Sequence, residues 1–285
     1  MKRKMLWILG FMIILVVAII IFLKIPYSRT RNEFQRDVKR HKAQAAIQMQ
    51  TGVFTQQDIE DLPEAIQTHF RVAGIIGKPI MSRFSMLVPS TPLYRSRDSA
   101  PLILDYNLYV FAYSPVRLAY MTTSMFGIPF EAYDSTQHGE GFMRGVIGKV
   151  FTLFNETGSV MDQGQLITYL GEFVLMPSFI FSDYVTWEVI DAHNVKATIS
   201  YGEVSGSGVF TLGDDGFIRY FRTDERAKVN TDGSIDFIEW SIIYEDWTKD
   251  ENGIYMPGNF KIIWHEPEGD FIYFESINGF NVEFN

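Results

Sequence analysis

The chain has 285 residues and carries 25 Lys/Arg against 34 Asp/Glu, a formal net charge of −9. It has no cysteine, which excludes disulfides, thiolate metal sites and cysteine nucleophiles. Ten of the Lys/Arg and two of the Asp/Glu lie in residues 1–42, leaving 15 against 32 for the rest. So acidic a body argues against a nucleic-acid partner, because phosphate recognition needs a basic face.

In chain order, the first element is the uncharged run Met5–Leu23, bracketed by Lys2, Arg3, Lys4 and Lys24. Its 19 residues match the roughly 20 that a helix needs to cross a bilayer. A cleaved signal peptide would end in small residues, whereas this run exits through Phe22-Leu23-Lys24-Ile25-Pro26-Tyr27. A soluble helix of this length would show a polar face. Residues 1–24 therefore read as a membrane anchor with a basic N-terminus, so the lipid bilayer is the expected partner of Met5–Leu23. Two arguments on sidedness conflict. Counted literally, the seven basic residues after the span keep that flank in the cytoplasm, yet long domains translocate largely regardless of charge. The second argument places the domain on the extracytoplasmic side. Residues 25–57 read as a basic juxtamembrane linker. Arg29 to Lys42 either rests on anionic headgroups, at about 1 kcal/mol per cation, or is simply solvated.

Residues 58–285 read as one domain. Asp58 to Lys78 has helical spacing, with Pro63 in its first turn, the stripe Leu62, Ile66, Phe70 and Ala73, and Gly74 and Gly77 at its exit. A second helix fits Met161 to Leu175, with Asp162 as N-cap and Gln165 at the capping-box position. Its apolar stripe is Leu166, Leu170, Phe173 and Val174. Nearly everything else alternates as strand, including Leu102–Tyr113, Val116–Phe126, Gly141–Phe154, Val195–Tyr201 and Ile235–Trp247. Asp215-Gly216, Asp232-Gly233, Asn252-Gly253 and Asn278-Gly279 read as tight turns, and strands joined by such turns are antiparallel. The expected fold is α+β, mainly β: a large curved antiparallel sheet, half-barrel-like, with two principal helices packed on it. With 24 Phe and 14 Tyr, its concave face is either filled by aromatic side chains or lines an apolar cavity.

No metalloprotease, nucleotide-loop, nucleophile-elbow or dinucleotide motif is present, so no catalytic residue, cofactor or metal ligand is assigned. Gln137-His138-Gly139-Glu140-Gly141, Gly213-Asp214-Asp215-Gly216 and His265-Glu266-Pro267-Glu268-Gly269-Asp270 read as turns. Arg144 is more telling, because a guanidinium in an apolar strand needs a partner. Asp162 or Glu172 is the expected one, and Arg144 with Leu166, Leu170 and Phe173 forms the candidate ligand-binding set.

Several segments occur in a familiar order: Leu62-Pro63-Glu64, Gly74-Ile75-Ile76-Gly77, Met143-Arg144-Gly145, Phe154-Asn155-Glu156-Thr157-Gly158, Asp162-Gln163-Gly164 and Pro267-Glu268-Gly269-Asp270-Phe271. Over residues 58–284 the chain resembles a bacterial, often membrane-anchored family known as a domain of unknown function, of the 6544/6920 type. His69-Phe70 departs from the Arg-Tyr-Leu-like run usual there. In architecture the chain is similar to the lipoprotein-localisation carriers, whose half-barrel holds acyl chains. That likeness implies a lipid, lipoprotein or other apolar ligand between sheet and helices. The alternative is an envelope assembly protein with a filled core.

Overall fold

A computed structural model describes residues 2–48, 51–230, 233–276 and 279–284. The apolar run is one helix, α1 (Lys2–Lys24), and none of its most apolar stretch is buried against the rest of the chain. It is long and apolar enough to cross a membrane.

A second helix follows at once, α2 (Arg29–Gln48), inside the segment 25–57 that the sequence presents as a linker. Ser28 caps it: its Oγ accepts from the Arg31 amide at 3.0 Å and donates to the Glu131 carboxylate. Thr30, Phe34, Val38, His41 and Ala45 recur every three or four residues and are buried. The stripe is narrow and set among charges, so counting charge conceals it. Phe34 stacks on Tyr120 at 5.2 Å between ring centres and meets Tyr133 edge-on at 5.7 Å, while Asp37 accepts from the Tyr133 hydroxyl at 2.8 Å.

The helix expected over Asp58–Lys78 is shorter. A 3-10 turn, Gln57–Ile59, precedes α3 (Glu64–Val72), with Pro63 at its N-cap. His69 of α3 is buried against Trp247 and Phe217, and burial lowers its imidazole to about 4.

The chain then builds a meander: β1 (Arg83–Leu93), β2 (Leu102–Phe111), β3 (Val116–Met125), β4 (Ile128–Gln137), β5 (Glu140–Ile147) and β6 (Phe151–Thr157). The stretch Gly141–Phe154, expected as one strand, is divided by a turn at Gly148-Lys149, where both φ angles are positive. Helix α4 (Ser159–Gly171) comes next, prolonged by 3-10 turns at Glu172–Leu175 and Pro177–Phe181. A second meander follows with β7 (Val185–Val189), β8 (Asn194–Tyr201), β9 (Val204–Leu212) and β10 (Ile218–Thr223). A ribbon of β11 (Ala227–Val229) and β12 (Ile235–Phe237) precedes β13 (Trp240–Glu245), so the expected strand Ile235–Trp247 is also interrupted. A second ribbon, β14 (Thr248–Lys249) with β15 (Tyr255–Met256), leads to β16 (Asn259–Glu266), β17 (Gly269–Glu275) and β18 (Asn281–Phe284). Asp215-Gly216 and Asn252-Gly253 lie at turns, whereas Asp232 and Asn278 lie outside the described residues.

Among the described residues these strands form a 14-stranded sheet, ordered β6-β5-β4-β3-β2-β1-β17-β16-β13-β10-β9-β8-β7, with β18 beside β1. Its pairings are antiparallel, and it stays open between the edges β6 and β7. The first meander runs outward to β6, α4 carries the chain across one face to β7, and the second meander returns to the middle. The two halves meet along β1, which shares one registered pair with β17, Leu93 with Phe274, and four with β18, Phe84 to Leu87 against Phe284 to Asn281. On the α4 face lies the main core, with Leu166, Leu170, Phe173, Phe210, Phe221 and Trp240 at its centre. A smaller core lies under α2 on the other face, around Phe111, Val116, Leu118, Tyr120 and Tyr133. Val116 through Met121 are therefore buried without alternation, since β3 is covered on both faces.

If α2 is seated as described, Phe34→Ala in the full chain should lower the unfolding free energy by about 3 kcal/mol, the lower range for truncating a buried aromatic. Denaturant unfolding in detergent measures this. A change under about 0.5 kcal/mol, the usual size of a surface effect, would mean that α2 contributes no packing.

Candidate functional site

Helix α4 approaches the sheet closely at two glycines. A Cβ on Gly141 of β5 would lie 2.7 Å from the Met161 carbonyl oxygen, and one on Gly206 of β9 would lie 2.4 Å from Ile167 Cγ1. Only glycine permits that approach. Asp162 also contributes: its Oδ1 accepts from the Gly141 amide at 2.7 Å. The N-cap is Gly158, four residues before Asp162, which therefore ties α4 to β5 instead of capping it. Gln165 turns inward and donates to Asp134, so it too has a tertiary role and not a capping one.

The interior at this point holds Arg117 of β3, which is 4 % exposed. Its Nε donates to Glu172 Oε1 at 2.8 Å, and its Nη1 donates to Asp134 Oδ2 at 2.8 Å and Gln165 Oε1 at 3.4 Å. Its Nη2 donates to the Tyr106 hydroxyl. One cation thus meets two carboxylates, and ionising both would leave a buried excess negative charge. Burial pushes the Glu172 carboxyl up to about 7, against the opposite pull of Arg117. Its second oxygen, Oε2, is buried without a hydrogen-bond partner.

Beside this network, a cavity of about 150 Å³ lies between α4 and the sheet at the seam of the two meanders. Met86, Leu93, Met121, Leu175, Ile242 and Phe274 supply apolar walls. Arg117, Asp134, Thr168, Glu172 and Arg226 supply the polar groups. Arg226 is held by aromatic faces, its guanidinium carbon 4.7 Å from the Trp240 ring centre and 5.2 Å from that of Trp264. Its Nε donates to Thr168 Oγ1 at 3.1 Å, and among the described residues no carboxylate lies within ion-pair distance of it. An apolar pocket with a few convergent polar groups and one cation lacking a counter-charge is the form of a small-molecule site.

The sequence-derived set is distributed differently. Arg144 lies on the opposite face, under α2, and pairs with Glu33 at 2.7 Å; neither Asp162 nor Glu172 is its partner. Its guanidinium lies over the Phe142 ring. Leu166, Leu170 and Phe173 are fully buried core residues, Phe173 packing on Phe70, Trp187 and Phe210, and none lines the cavity. Arg117 and Arg226 carry the site's charge. Arg117 gave the same signal as Arg144, a lone guanidinium in an apolar strand. His138 lies in the β4–β5 turn. His265 bridges Ser241, at 2.8 Å from Nε2, and Asp270, at 2.7 Å from Nδ1. That hydrogen-bond order matches a serine-nucleophile relay, but Ser241 is 1 % exposed and offers no approach to a substrate carbonyl. Among the described residues no group of three or more His, Asp or Glu is placed to hold a metal ion.

Two outcomes test the network. Arg117→Met should cost about 3–5 kcal/mol at neutral pH, because it leaves buried carboxylates without their cation. Glu172 has a raised carboxyl, so the folded state holds its proton where the unfolded chain has lost it, and stability falls as pH rises from about 4.5 to about 7. Relative to wild type, Glu172→Gln should therefore gain up to about 3 kcal/mol across that window, as unfolding free energies at each pH would reveal. A constant difference between the two proteins would show that Glu172 is ionised throughout. The comparison removes the contribution of His69, which runs the other way and is lost as pH falls from about 6.5 toward about 4.

No curated protein matches the chain. Among solved structures, a domain from Vibrio parahaemolyticus bearing the name outer membrane lipoprotein-sorting protein is similar at 8% identity, with a TM-score of 0.30. The match covers 72% of this chain and 84% of that one. Residues 52–276 match a family model that takes in α3, α4 and the sheet as far as β17. On that match, the chain belongs to the Family of unknown function (DUF6544).

Proposed function

We propose that this is a membrane-anchored binding protein. In this reading α1 spans the bilayer, the sheet domain lies on the extracytoplasmic side, and the cavity under α4 takes an apolar group with an anionic end. The observation that carries it is the pairing of apolar walls with Arg226, a cation cradled by Trp240 and Trp264 with no carboxylate partner among the described residues. A carboxylate or phosphate at that end would supply the missing counter-charge to Arg226. At about 150 Å³ the cavity takes a group of benzene size, so a longer acyl chain would need the seam at Leu93 and Phe274 to part.

A second reading has its own observation. Because the cavity is small and the core around it is filled by Phe173, Phe210, Phe221 and Trp240, the domain also suits an envelope assembly protein with no ligand. The fluorescent fatty acid cis-parinaric acid separates the two, titrated into the full chain in nanodiscs with empty nanodiscs subtracted. The binding reading expects saturable uptake at one equivalent, lost in Met121→Trp, which fills the cavity, and weakened about tenfold in Arg226→Gln, the worth of one charge-assisted contact of about 1.4 kcal/mol. Absence of saturable uptake would leave the assembly reading.

A further inference from the structure

One end of the sheet presents large apolar side chains to solvent. Phe126, at the tip of the β3–β4 hairpin, is 97% exposed, and Val150 and Phe151, just past the β5–β6 turn, are 59% and 70% exposed. The two tips are neighbours, for a Cβ on Gly148 would lie 3.6 Å from Ile128 Cγ2. Phe126 and Gly127 have φ of 55° and 78°, the left-handed pair that hairpins ordinarily build from Asn-Gly or Asp-Gly. A phenylalanine there is both strained and fully solvated, with nothing inside the chain to offset either.

The same end is fastened to α1. Lys149 Nζ donates to the Phe22 carbonyl at 3.0 Å and to the Ile25 carbonyl, and its ammonium lies 5.6 Å from the Phe22 ring centre. The Phe22 carbonyl is one that a helix leaves open at its C-terminus, and Ile25 lies just past that end. The β5–β6 turn is thereby held where α1 leaves the hydrocarbon, if α1 spans. Helix α2 starts at this end, where Ser28 meets Glu131, and finishes at the other, where His41 meets Tyr113 and Gln137. The cleft beside α2 that begins at this end is lined by Arg31, Lys39, Lys42 and Lys149 against Glu131, a positive balance.

We infer that the β3–β4 and β5–β6 turns are a second membrane contact. Phe126, Ile128, Val150 and Phe151 insert at the boundary of headgroups and acyl chains in the leaflet from which α1 emerges, and Lys149 and Arg31 meet anionic lipid phosphates. The inference rests on the reading of α1 as a bilayer span. It makes the domain stand on the membrane at a fixed tilt, with α2 running away from the surface, so that the cavity sits at a set height above the lipid.

The absence of cysteine gives a direct test, since one introduced cysteine is a unique labelling site. The full chain carries an environment-sensitive nitrobenzoxadiazole probe at Phe126→Cys, Phe151→Cys, Ile14→Cys in α1, or Phe237→Cys on the exposed β11–β12 ribbon. Each is reconstituted in phosphatidylcholine–phosphatidylglycerol vesicles containing nitroxide-labelled lipid. Probes at 126 and 151 should lose most of their emission, as the probe at 14 does, while the probe at 237 keeps its emission. Quenching at 14 with none at 126 and 151 would overturn the inference and leave α1 as a span, those turns then facing water or another protein. Absence of quenching at 14 would remove the anchor itself, and the docking inference with it.

Discussion

A guanidinium in an apolar interior must be paired, and in this chain that requirement holds the two halves of the fold together. Arg117 projects from β3 of the first meander and is satisfied by the Tyr106 hydroxyl from β2, by Asp134 from β4, and by Gln165 and Glu172 from α4 and its 3-10 extension. Helix α4 is the crossover that carries the chain from edge β6 to edge β7. Seating it therefore places the second meander as well. The glycines at 141 and 206 let α4 come close enough for those hydrogen bonds to form, and Asp162 fixes its first turn on β5.

Satisfaction of the network is incomplete by one oxygen, and that residue of unmet polarity lies beside the cavity. Among the described residues, Glu172 Oε2 without a partner and Arg226 without a carboxylate are the groups that a fully packed core would have removed. Both border space that the aromatic core does not fill. Apolar walls from the two meanders meet there because the seam between β1 and β17 is the place where the sheet is least continuous. The binding reading and the assembly reading differ only in whether that seam opens.

The opposite face is organised by a different demand. Strands β2 to β4 carry Tyr120, Tyr133 and Leu118 on the side away from α4, and an uncovered patch of that size would be exposed apolar surface. Helix α2 covers it, and since α2 follows α1 after only a short break at 25–28, the cover and the apolar helix are mechanically one piece. Lys149 closes the loop by binding the end of α1 from the β5–β6 turn. In the proposed membrane-anchored reading, these contacts, and not a flexible tether, set the orientation of the sheet to the bilayer.

Much of the architecture was legible in the residues alone. Period-two alternation and Asp-Gly or Asn-Gly turns imply an antiparallel sheet, and an uncharged run of 19 residues implies a helix long enough to span, because both signals are local and repeat along the chain. The apolar stripe of α4 was visible for the same reason. Local signals did not reveal α2, whose narrow stripe of Phe34, Val38, His41 and Ala45 has meaning only once a sheet face exists to receive it. Nor could they choose between Arg144 and Arg117, which look alike in sequence and face opposite sides of the sheet. Facing is set by strand register, partners such as Asp134 and Glu33 arrive from distant positions, and the cavity lies between two meanders brought together by long-range pairing and by α4. Tertiary structure decided those matters, because each depends on which distant residues α2 and the crossover α4 bring onto the two faces of the sheet.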